Sequence, residues 1–247
     1  MHENRVIKIL EIVRRDGSST IQELSAALHV SISTIRRDIA ELAQRNLVAY
    51  NRNVIVPISE KLVDEPLRYR SGVNTLAKQA IAREAFRLVK NGDTVFLDSS
   101  STVLAMASML NGLLRLTIVT NGLRVVPRIQ NSDFTVHVIG GKMSRRSHGF
   151  YGPLTETALR RFNFDIAFFS PVAVTPQNFA AETSPDAASV RQVAMAQAKR
   201  SVLMFDHTKI GQTRTYNFAS LDDFNYLITD DRQYHFDTSA AVLRAKN

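Results

Sequence analysis

The spacing of apolar residues in the first 44 positions predicts three short helices. On each of them, apolar side chains recur every three or four positions and define one buried face: Val6, Ile9, Leu10 and Val13; Ile21, Leu24 and Leu28; Ile35, Ile39 and Leu42. Asp16-Gly17 ends the first helix. Thr20 and Glu23 form the capping-box pattern that begins the second, and Ser31 is placed to cap the third.

Residues 47–56 follow the pattern of a strand pair. The stretch is apolar and β-branched, and the polar segment 51–53 interrupts it in the middle, as expected of a β-hairpin. Pro57 ends this hairpin, which would form the wing of a winged helix-turn-helix domain over 1–57. Residues 58–74 are mixed in polarity and contain a proline, so we interpret them as a linker.

From residue 75 onward, helical patterns alternate with short apolar strands. A helix is predicted over 75–89, closed by Asn91-Gly92, and further helices are predicted from Val103 and through Val125. The predicted strands are 94–97, 116–120, 135–139, 165–169, 201–205 and 224–229. Such alternation predicts a mostly parallel sheet covered on both faces. The predicted fold class is therefore α/β, with a Rossmann-like parallel-sheet domain over 75–247 behind the winged helix-turn-helix.

Composition narrows the function classes. The chain has no cysteine, which excludes disulfides, thiolate metal sites and a catalytic thiol. Charged residues interrupt the N-terminal apolar stretch, and no run of 18 apolar residues is present, so we expect a cytoplasmic protein without a membrane span. The formal net charge of +8 favours polyanionic partners.

The second and third helices have the spacing of a helix-turn-helix, with a tight turn at His29-Val30. In that motif the second helix enters the DNA major groove and its N-terminal residues reach base edges. Small hydroxyl side chains permit close approach, and arginine binds guanine edges or phosphates. The predicted DNA-contacting residues are Ser31, Ser33, Thr34, Arg36 and Arg37. The alternative is a three-helix bundle with a solvated arginine face; the turn, the cap, the wing and the basic charge favour DNA.

Polar residues follow several of the predicted strands, where α/β sheets bind ligands. Asp98 to Thr102, "DSSST", separates a buried strand from a helix, whose N-terminal N–H groups could bind a phosphate while Asp98 accepts from a sugar hydroxyl. The other candidates are Thr120-Asn121, Gly140-Gly141 and Lys209. The alternative for the serines is an ordinary helix cap. Glu182 is interpreted as a loop residue that could be a general base, with no partner identified.

The sequence lacks the common motifs for metal binding, nucleotide binding and serine-hydrolase catalysis. The six histidines show no paired metal-binding spacing, and neither a P-loop, a GxGxxG loop nor a GxSxG elbow is present. We therefore assign no metal site, no cofactor and no catalytic residue.

The segment "TIQELSAALHVSISTIRRDIAEL" resembles the N-terminal motif of DeoR-type bacterial transcriptional regulators, with "TIRRD" its most specific element. The resemblance continues through "NGDTVFLDSSST", "TIVTNGL", "VIGGK", "FDIAFFS", "AMAQAKRSVLMFDHTKIG" and "LITD", in the family's order. It implies an isomerase-like effector domain that senses a phosphorylated sugar, and an oligomeric repressor, dimer or tetramer, that leaves its operator when the metabolite binds. The residues placed on the family's pocket motifs are Asp98, Ser99, Ser100, Ser101, Thr102, Thr120, Asn121, Gly140, Gly141 and Lys209.

Three positions depart from the family pattern. Ser100-Ser101-Thr102 replaces a usual Gly-Thr-Thr, and Ser170-Pro171 stands where glycine is frequent. The wing lacks the usual Gly-Gly pair, and Arg52 could replace its phosphate contact. The sequence predicts a sequence-specific DNA-binding repressor of a carbohydrate operon. The alternatives are an activator, or a sugar-phosphate isomerase-like enzyme with a fused helical domain.

Overall fold

The computed structural model describes residues 2–44, 47–51, 54–57 and 67–246. The chain divides into two compact units, Met1–Val73 and Asn74–Asn247. The boundary therefore falls at the end of the segment that we interpreted as a linker, 58–74. Within that segment, residues 67–72 form a short helix, and residues 58–66 lie outside the described part of the chain.

The N-terminal unit is a winged helix-turn-helix. Its elements in chain order are α1 (His2–Asp16), β1 (Ser19–Thr20), α2 (Ile21–Leu28), α3 (Ile32–Gln44), β2 (Val48–Asn51), β3 (Val54–Pro57) and α4 (Leu67–Gly72). Strands β2 and β3 form the predicted hairpin, and β1 pairs with β3 on its other side. The apolar faces predicted for the three helices pack into one core with Leu47, Val48 and Ile55.

Local signals fix the helix-turn-helix geometry. Thr20 caps α2 and exchanges hydrogen bonds with Glu23, as the capping-box pattern predicts. His29 ends the helix in the left-handed conformation, with φ of 52°. The Ser25 hydroxyl then donates to the carbonyl oxygen of Val30 at 2.6 Å, which holds the turn between α2 and α3.

The C-terminal unit is built on a parallel sheet of seven strands. Its elements are α5 (Thr75–Phe86), β4 (Thr94–Leu97), α6 (Ser101–Ala107), β5 (Thr117–Thr120), β6 (Thr135–Val138), β7 (Lys142–Met143), β8 (Phe150–Tyr151), α7 (Pro153–Leu159), β9 (Ile166–Phe169), β10 (Ala173–Val174), β11 (Phe179–Glu182), α8 (Pro185–Ala196), β12 (Ser201–Met204), β13 (Tyr216–Ser220), β14 (Tyr226–Thr229) and β15 (Ala241–Arg244). The six strands predicted from the sequence all lie in this sheet, in the order β15-β14-β12-β9-β4-β5-β6. The α/β prediction is confirmed.

Two details of the prediction differ from the structure. The helix expected through Val125 is wrong: the chain turns there and forms one turn of 3₁₀ helix over Val126–Arg128. Pro127 lacks a backbone N–H and so cannot donate within a longer helix. The first helix of this unit ends at Phe86, earlier than the predicted 89.

The strand order places the functional crevice. From β4 the chain moves outward to β5 and β6, then returns to add β9 on the opposite side of β4. The direction of strand addition therefore reverses between β4 and β9. In open parallel sheets, ligands bind at the carboxyl ends of the strands beside such a reversal. Asp98 follows β4 and Ser170 follows β9, so both lie at this crevice.

Candidate functional site

The N-terminal part of α3 presents a polar, accessible surface. Ser31, Ser33, Arg36 and Arg37 are exposed, and Thr34 is half-buried. The Ser31 hydroxyl oxygen lies 2.9 Å from that of Ser33 and 2.8 Å from that of Thr34, and it accepts from the Thr34 backbone N–H at 3.3 Å. Ser31 thus caps α3, as predicted, and groups three hydroxyls at its start.

The two arginines extend from this surface into solvent. Among the described residues, neither guanidinium of Arg36 and Arg37 has a hydrogen-bond or ion-pair partner. Their side chains are therefore available to an external anion. Arg52, the predicted wing contact, lies outside the described residues.

Asp38, the acid of the "TIRRD" motif, has a structural role that the sequence analysis missed. Its carboxylate is fully buried and accepts two hydrogen bonds from Arg5 on α1, at 2.5 Å from Nε and 3.1 Å from Nη2. The paired carboxylate raises the pKa of Arg5. The available signal was its position beside Ile35 and Ile39 on the buried face of α3. A bidentate pair fixes α3 against α1 and so orients the exposed arginines.

Asp98 lies at the crevice with both carboxylate oxygens occupied. One oxygen accepts from the Ser100 N–H at 2.8 Å; the other accepts from the Ser170 N–H at 3.1 Å and from Arg191 Nε at 3.2 Å. The residue is 2% exposed. Asp98 therefore joins the ends of β4 and β9, and in this arrangement it positions the crevice.

Arg191 on α8 is the main residue that the sequence analysis missed. Its guanidinium lies 3.1 Å from Asp98 and 3.1 Å from Glu182, and it donates to the carbonyl oxygen of Ser170 at 3.3 Å. Burial alone would lower the pKa of Arg191, but the two carboxylates raise it, so the group stays charged. The available sequence signal for the burial of Arg191 was its position four residues after Ala187, one turn further along the same face of α8.

The interpretation of Glu182 as a loop residue without a partner is wrong. Glu182 is the last residue of β11, and the residue is 4% exposed. Its ion pair with Arg191 is made to Nη1, whereas Asp98 faces Nε and Nη2 of the same guanidinium. Glu182 is therefore a member of a buried charge cluster, a position that its sequence surroundings do not reveal.

The serines after Asp98 have distinct local roles. Ser100 caps α6 through the Val103 N–H, so the alternative of an ordinary helix cap holds for this residue. The Ser99 hydroxyl lies 2.8 Å from that of Tyr151, which also donates to Ser147 at 3.0 Å. Ser101 and Thr102 are buried at the start of α6. Their part in effector binding remains a prediction.

Thr120-Asn121 follows β5 beside this group. The Thr120 hydroxyl donates to the carbonyl oxygen of Leu97 at 2.7 Å and accepts from the Gly122 N–H at 2.9 Å. Asn121 Nδ2 donates to the carbonyl oxygen of Phe150. The Asn121 side-chain oxygen is buried and has no partner among the described residues. An unpaired buried acceptor costs free energy, which a ligand hydroxyl at this position would recover.

The glycine pair after β6 lies against α7. Gly141 has φ of 151°, and a Cβ added to it would fall 2.1 Å from the Thr155 hydroxyl oxygen. That hydroxyl donates to the carbonyl oxygen of Gly140 at 2.8 Å. The close backbone approach at Gly141 is therefore to Thr155, and around Gly140 the corresponding space is open. Contact of either glycine with an effector remains a prediction.

Lys209 places a cation at the β9 side of the crevice. Its Nζ donates to the Ser170 hydroxyl at 2.9 Å and to the carbonyl oxygen of Pro171 at 2.7 Å. The Ser170 hydroxyl in turn donates to that of Thr102 at 3.3 Å. Glycine, which is frequent at position 170 in the family, has no side chain, so it could neither accept from Lys209 nor donate to Thr102. Ser170 therefore supplies the side chain that links Lys209 to the start of α6.

Asp206 lies three residues before Lys209 and is 1% exposed. Burial opposes ionisation, but Lys209, Lys78 and hydrogen bonds from Thr208 together hold the pKa of Asp206 below its usual range. A buried carboxylate that stays ionised keeps its electrostatic attraction for both lysines.

The described residues contain neither a metal-binding cluster nor a membrane-spanning helix. No cluster of three or more His, Asp or Glu side chains in this part of the chain is arranged to hold a metal ion. None of the helices that the structure describes has the length and apolar character needed to cross a bilayer.

The chain matches two family models in succession. Residues 5–60 match a DeoR-like helix-turn-helix domain, and residues 73–231 match the DeoR C-terminal sensor domain. The class defined by the fold is thus a helix-turn-helix regulator with a sensor domain. The chain belongs to the DeoR family of transcriptional regulators.

Related proteins agree with this class. The chain is 31% identical to the HTH-type transcriptional regulator GolR of Listeria innocua, over 91% of this chain and 89% of that protein. It is 29% identical to the glycerol-3-phosphate regulon repressor of Escherichia coli, over 90% and 88%. The solved ribose 5-phosphate isomerase A of Methanocaldococcus jannaschii is 17% identical, with a TM-score of 0.41 over 56% of this chain and 55% of that chain. The two family models and the regulators among its relatives show that this chain is a DNA-binding transcriptional regulator, and they do not support the enzyme alternative.

Proposed function

We propose that this regulator is a repressor of a carbohydrate operon, that α3 reads its operator, and that a phosphorylated sugar releases it. The observation that carries the DNA part is the surface at the start of α3, where three hydroxyls adjoin two solvent-exposed guanidiniums. The bidentate pair of Arg5 with Asp38 supports this surface from beneath. Short hydroxyls and arginines at the start of a recognition helix suit contact with base edges and phosphates.

The effector proposal rests on the crevice between β4 and β9 and on the adjoining end of β5. Lys209 supplies a positive charge for a phosphate, and the unpaired Asn121 oxygen supplies an acceptor for a hydroxyl. These groups together suit a ligand that carries both an anion and hydroxyls. Relatives named as repressors, one of them of a glycerol-3-phosphate regulon, support this class of effector.

The proposed mechanism is a shift of populations. The effector would bind more tightly to the arrangement whose recognition helices do not match the operator. A dimer or tetramer would place two α3 helices on half-sites one or more helical turns apart. A protein with this task acts where the chromosome is, which in a bacterium is the cytoplasm.

One experiment tests the whole proposal. The full chain is mixed with a duplex from the upstream region of its own gene, with and without a panel of probes: glycerol 3-phosphate, glucose 6-phosphate, fructose 6-phosphate, ribose 5-phosphate and inorganic phosphate. We expect a retarded complex that at least one phosphorylated sugar dissociates and that inorganic phosphate leaves intact. A complex insensitive to every sugar would count against the effector proposal while leaving the DNA proposal standing.

Arg37→Ala is expected to weaken operator binding by about 1–3 kcal/mol if Arg37 contacts a base pair, and by less if it contacts only phosphate. Arg87→Ala is the matched control, because it removes an exposed arginine from the other unit of the chain. Affinities are measured by titration of a labelled operator at several salt concentrations. Equal affinity of Arg37→Ala and the parent at low salt would exclude both roles.

Lys209→Ala is expected to abolish release by the active sugar phosphate and to leave operator affinity unchanged. The reason is that Lys209 lies in the crevice and supplies the charge proposed for the phosphate. Lys199→Ala, which removes an exposed lysine paired with Asp165, is the control. If the Lys209 variant still releases DNA at the parent's sugar concentration, Lys209 does not bind the effector.

A further inference from the structure

We propose that residues 206–209, here called the 206–209 turn, transmit occupancy of the effector crevice to the first turn of α5. The inference rests on the proposed function, since it concerns regulation through the same crevice. The turn has Lys209 at one end and Asp206 at the other, and the two ends contact different parts of the C-terminal unit.

At the crevice end, the Lys209 ammonium is held by two oxygens that follow β9. These are the Ser170 hydroxyl oxygen at 2.9 Å and the carbonyl oxygen of Pro171 at 2.7 Å. Both partners are neutral, so an anion in the crevice competes with them for the ammonium. The Lys209 ammonium therefore exchanges these two neutral acceptors for an anion, while its attraction to the Asp206 carboxylate is present in both states.

At the other end, Asp206 contacts the start of α5. Asn74 Nδ2 donates to the Asp206 carboxylate at 3.2 Å and lies 3.4 Å from the Thr208 hydroxyl oxygen. Lys78, one turn along α5, has its Nζ 3.8 Å from the second Asp206 oxygen. Lys78 and Asp206 are both buried, so this attraction is weakly screened by solvent.

Asn74 is unusual for a helix-capping residue. It is the N-cap of α5, yet its side chain makes no capping hydrogen bond to its own helix, and its φ is 51°. Asparagine at this position ordinarily accepts from the second or third backbone N–H of its helix. Here the side-chain amide contacts the 206–209 turn, so Asn74 ties the start of α5 to that turn.

Asn74 is also the residue at which the two units are joined. Val73 is the last residue of the N-terminal unit, and Asn74 is the first of the C-terminal unit. Within the turn, the Lys209 N–H donates to the carbonyl oxygen of Asp206 at 3.1 Å, which makes the segment a short, stiff link. When Lys209 turns to an anion, Asp206 moves with it and pulls on Asn74 through their hydrogen bond. Loss of Lys209 or of the Asn74 side chain therefore breaks the path of the signal and does not imitate the bound effector.

Hydrogen exchange on the full chain tests the link without any effector. Lys209→Met is expected to raise exchange at the Lys78 amide, which donates to the Asn74 carbonyl oxygen, by roughly fivefold or more. Lys199→Met, which removes an exposed lysine paired with Asp165, is expected to leave it unchanged. Altered exchange at 206–210 with none at 74–78 would overturn the proposal.

The reciprocal variant, Asn74→Ala, covers the case in which Lys209→Met does not fold. It is expected to raise exchange at the Lys209 amide by a similar factor, and unchanged exchange there would also overturn the proposal. In the operator assay, the most active sugar phosphate of the panel is expected to lower operator affinity by about 5–150-fold in the parent. Asn74→Ala should bind that sugar phosphate with the parent's affinity, yet show little change in operator affinity.

These outcomes separate the two proposals. If Asn74→Ala is released as readily as the parent, the link is wrong and the effector site stands. If no sugar phosphate of the panel binds either protein, the effector proposal fails, and the exchange measurements alone decide the link.

Discussion

Arg191→Met is expected to lower the free energy of unfolding by about 3–5 kcal/mol, because it leaves two buried carboxylates without their cation. Asp98 and Glu182 both lie 3.1 Å from the guanidinium, and all three side chains are at least nine-tenths buried. Methionine replaces the apolar stem of the arginine but not its guanidinium, so the loss is mainly electrostatic. Urea denaturation of the full chain, followed by circular dichroism, measures the change.

Two further variants test whether this loss of stability comes from the buried charges. Arg87→Met removes an exposed arginine paired with Glu84 and is expected to cost less than about 1 kcal/mol. Adding Asp98→Asn and Glu182→Gln to Arg191→Met removes the stranded charges and should recover part of the loss. If Arg191→Met lowers the free energy of unfolding no more than Arg87→Met does, Arg191 does not stabilise the crevice through Asp98 and Glu182.

Arg5→Met should have the second large effect, a loss of about 3 kcal/mol or more from the stability of the N-terminal unit. Asp38 is fully buried, and the variant removes both hydrogen bonds from the guanidinium to its carboxylate. Operator affinity should also fall, because α3 would lose a contact that orients it on α1.

Arg15→Met is the matched control for this prediction. It lies on the same helix and also pairs with an aspartate, Asp16, but its side chain is 73% exposed. The same denaturation experiment compares the two variants. If Arg5→Met is as stable as Arg15→Met, the "TIRRD" aspartate does not hold the recognition helix in the way described.

The N-terminal unit could be predicted closely because its signals are local. The capping box of Thr20 with Glu23, the apolar faces of three helices and the β-branched hairpin each lie within a few residues of the element that they specify. The central strands of the sheet could be predicted equally well, since each is a short apolar run. Short strands such as β7, β10 and β15 were missed because they are brief or lack a distinctive pattern.

The buried charge cluster of the crevice could be predicted only in part. Asp98 was identified because it directly follows a strand, where ligand-binding residues of parallel sheets gather. Arg191 was missed because its partner Asp98 is 93 positions away in sequence, and only the tertiary fold brings them together. The same reason explains why Glu182 was assigned no partner and why the Asn74 contact with Asp206 was not foreseen.

Cross-linking from a single position on α3 tests the central claim, that this surface lies against operator DNA. The chain has no cysteine, so Ser33→Cys carries the only thiol and can be labelled with a photoactivated cross-linker. We expect light to join residue 33 to the operator duplex, with unlabelled operator competing. A label at Arg87→Cys should give little adduct. No adduct from residue 33 while the protein is bound to the operator, or equal adducts from both positions, would contradict the account.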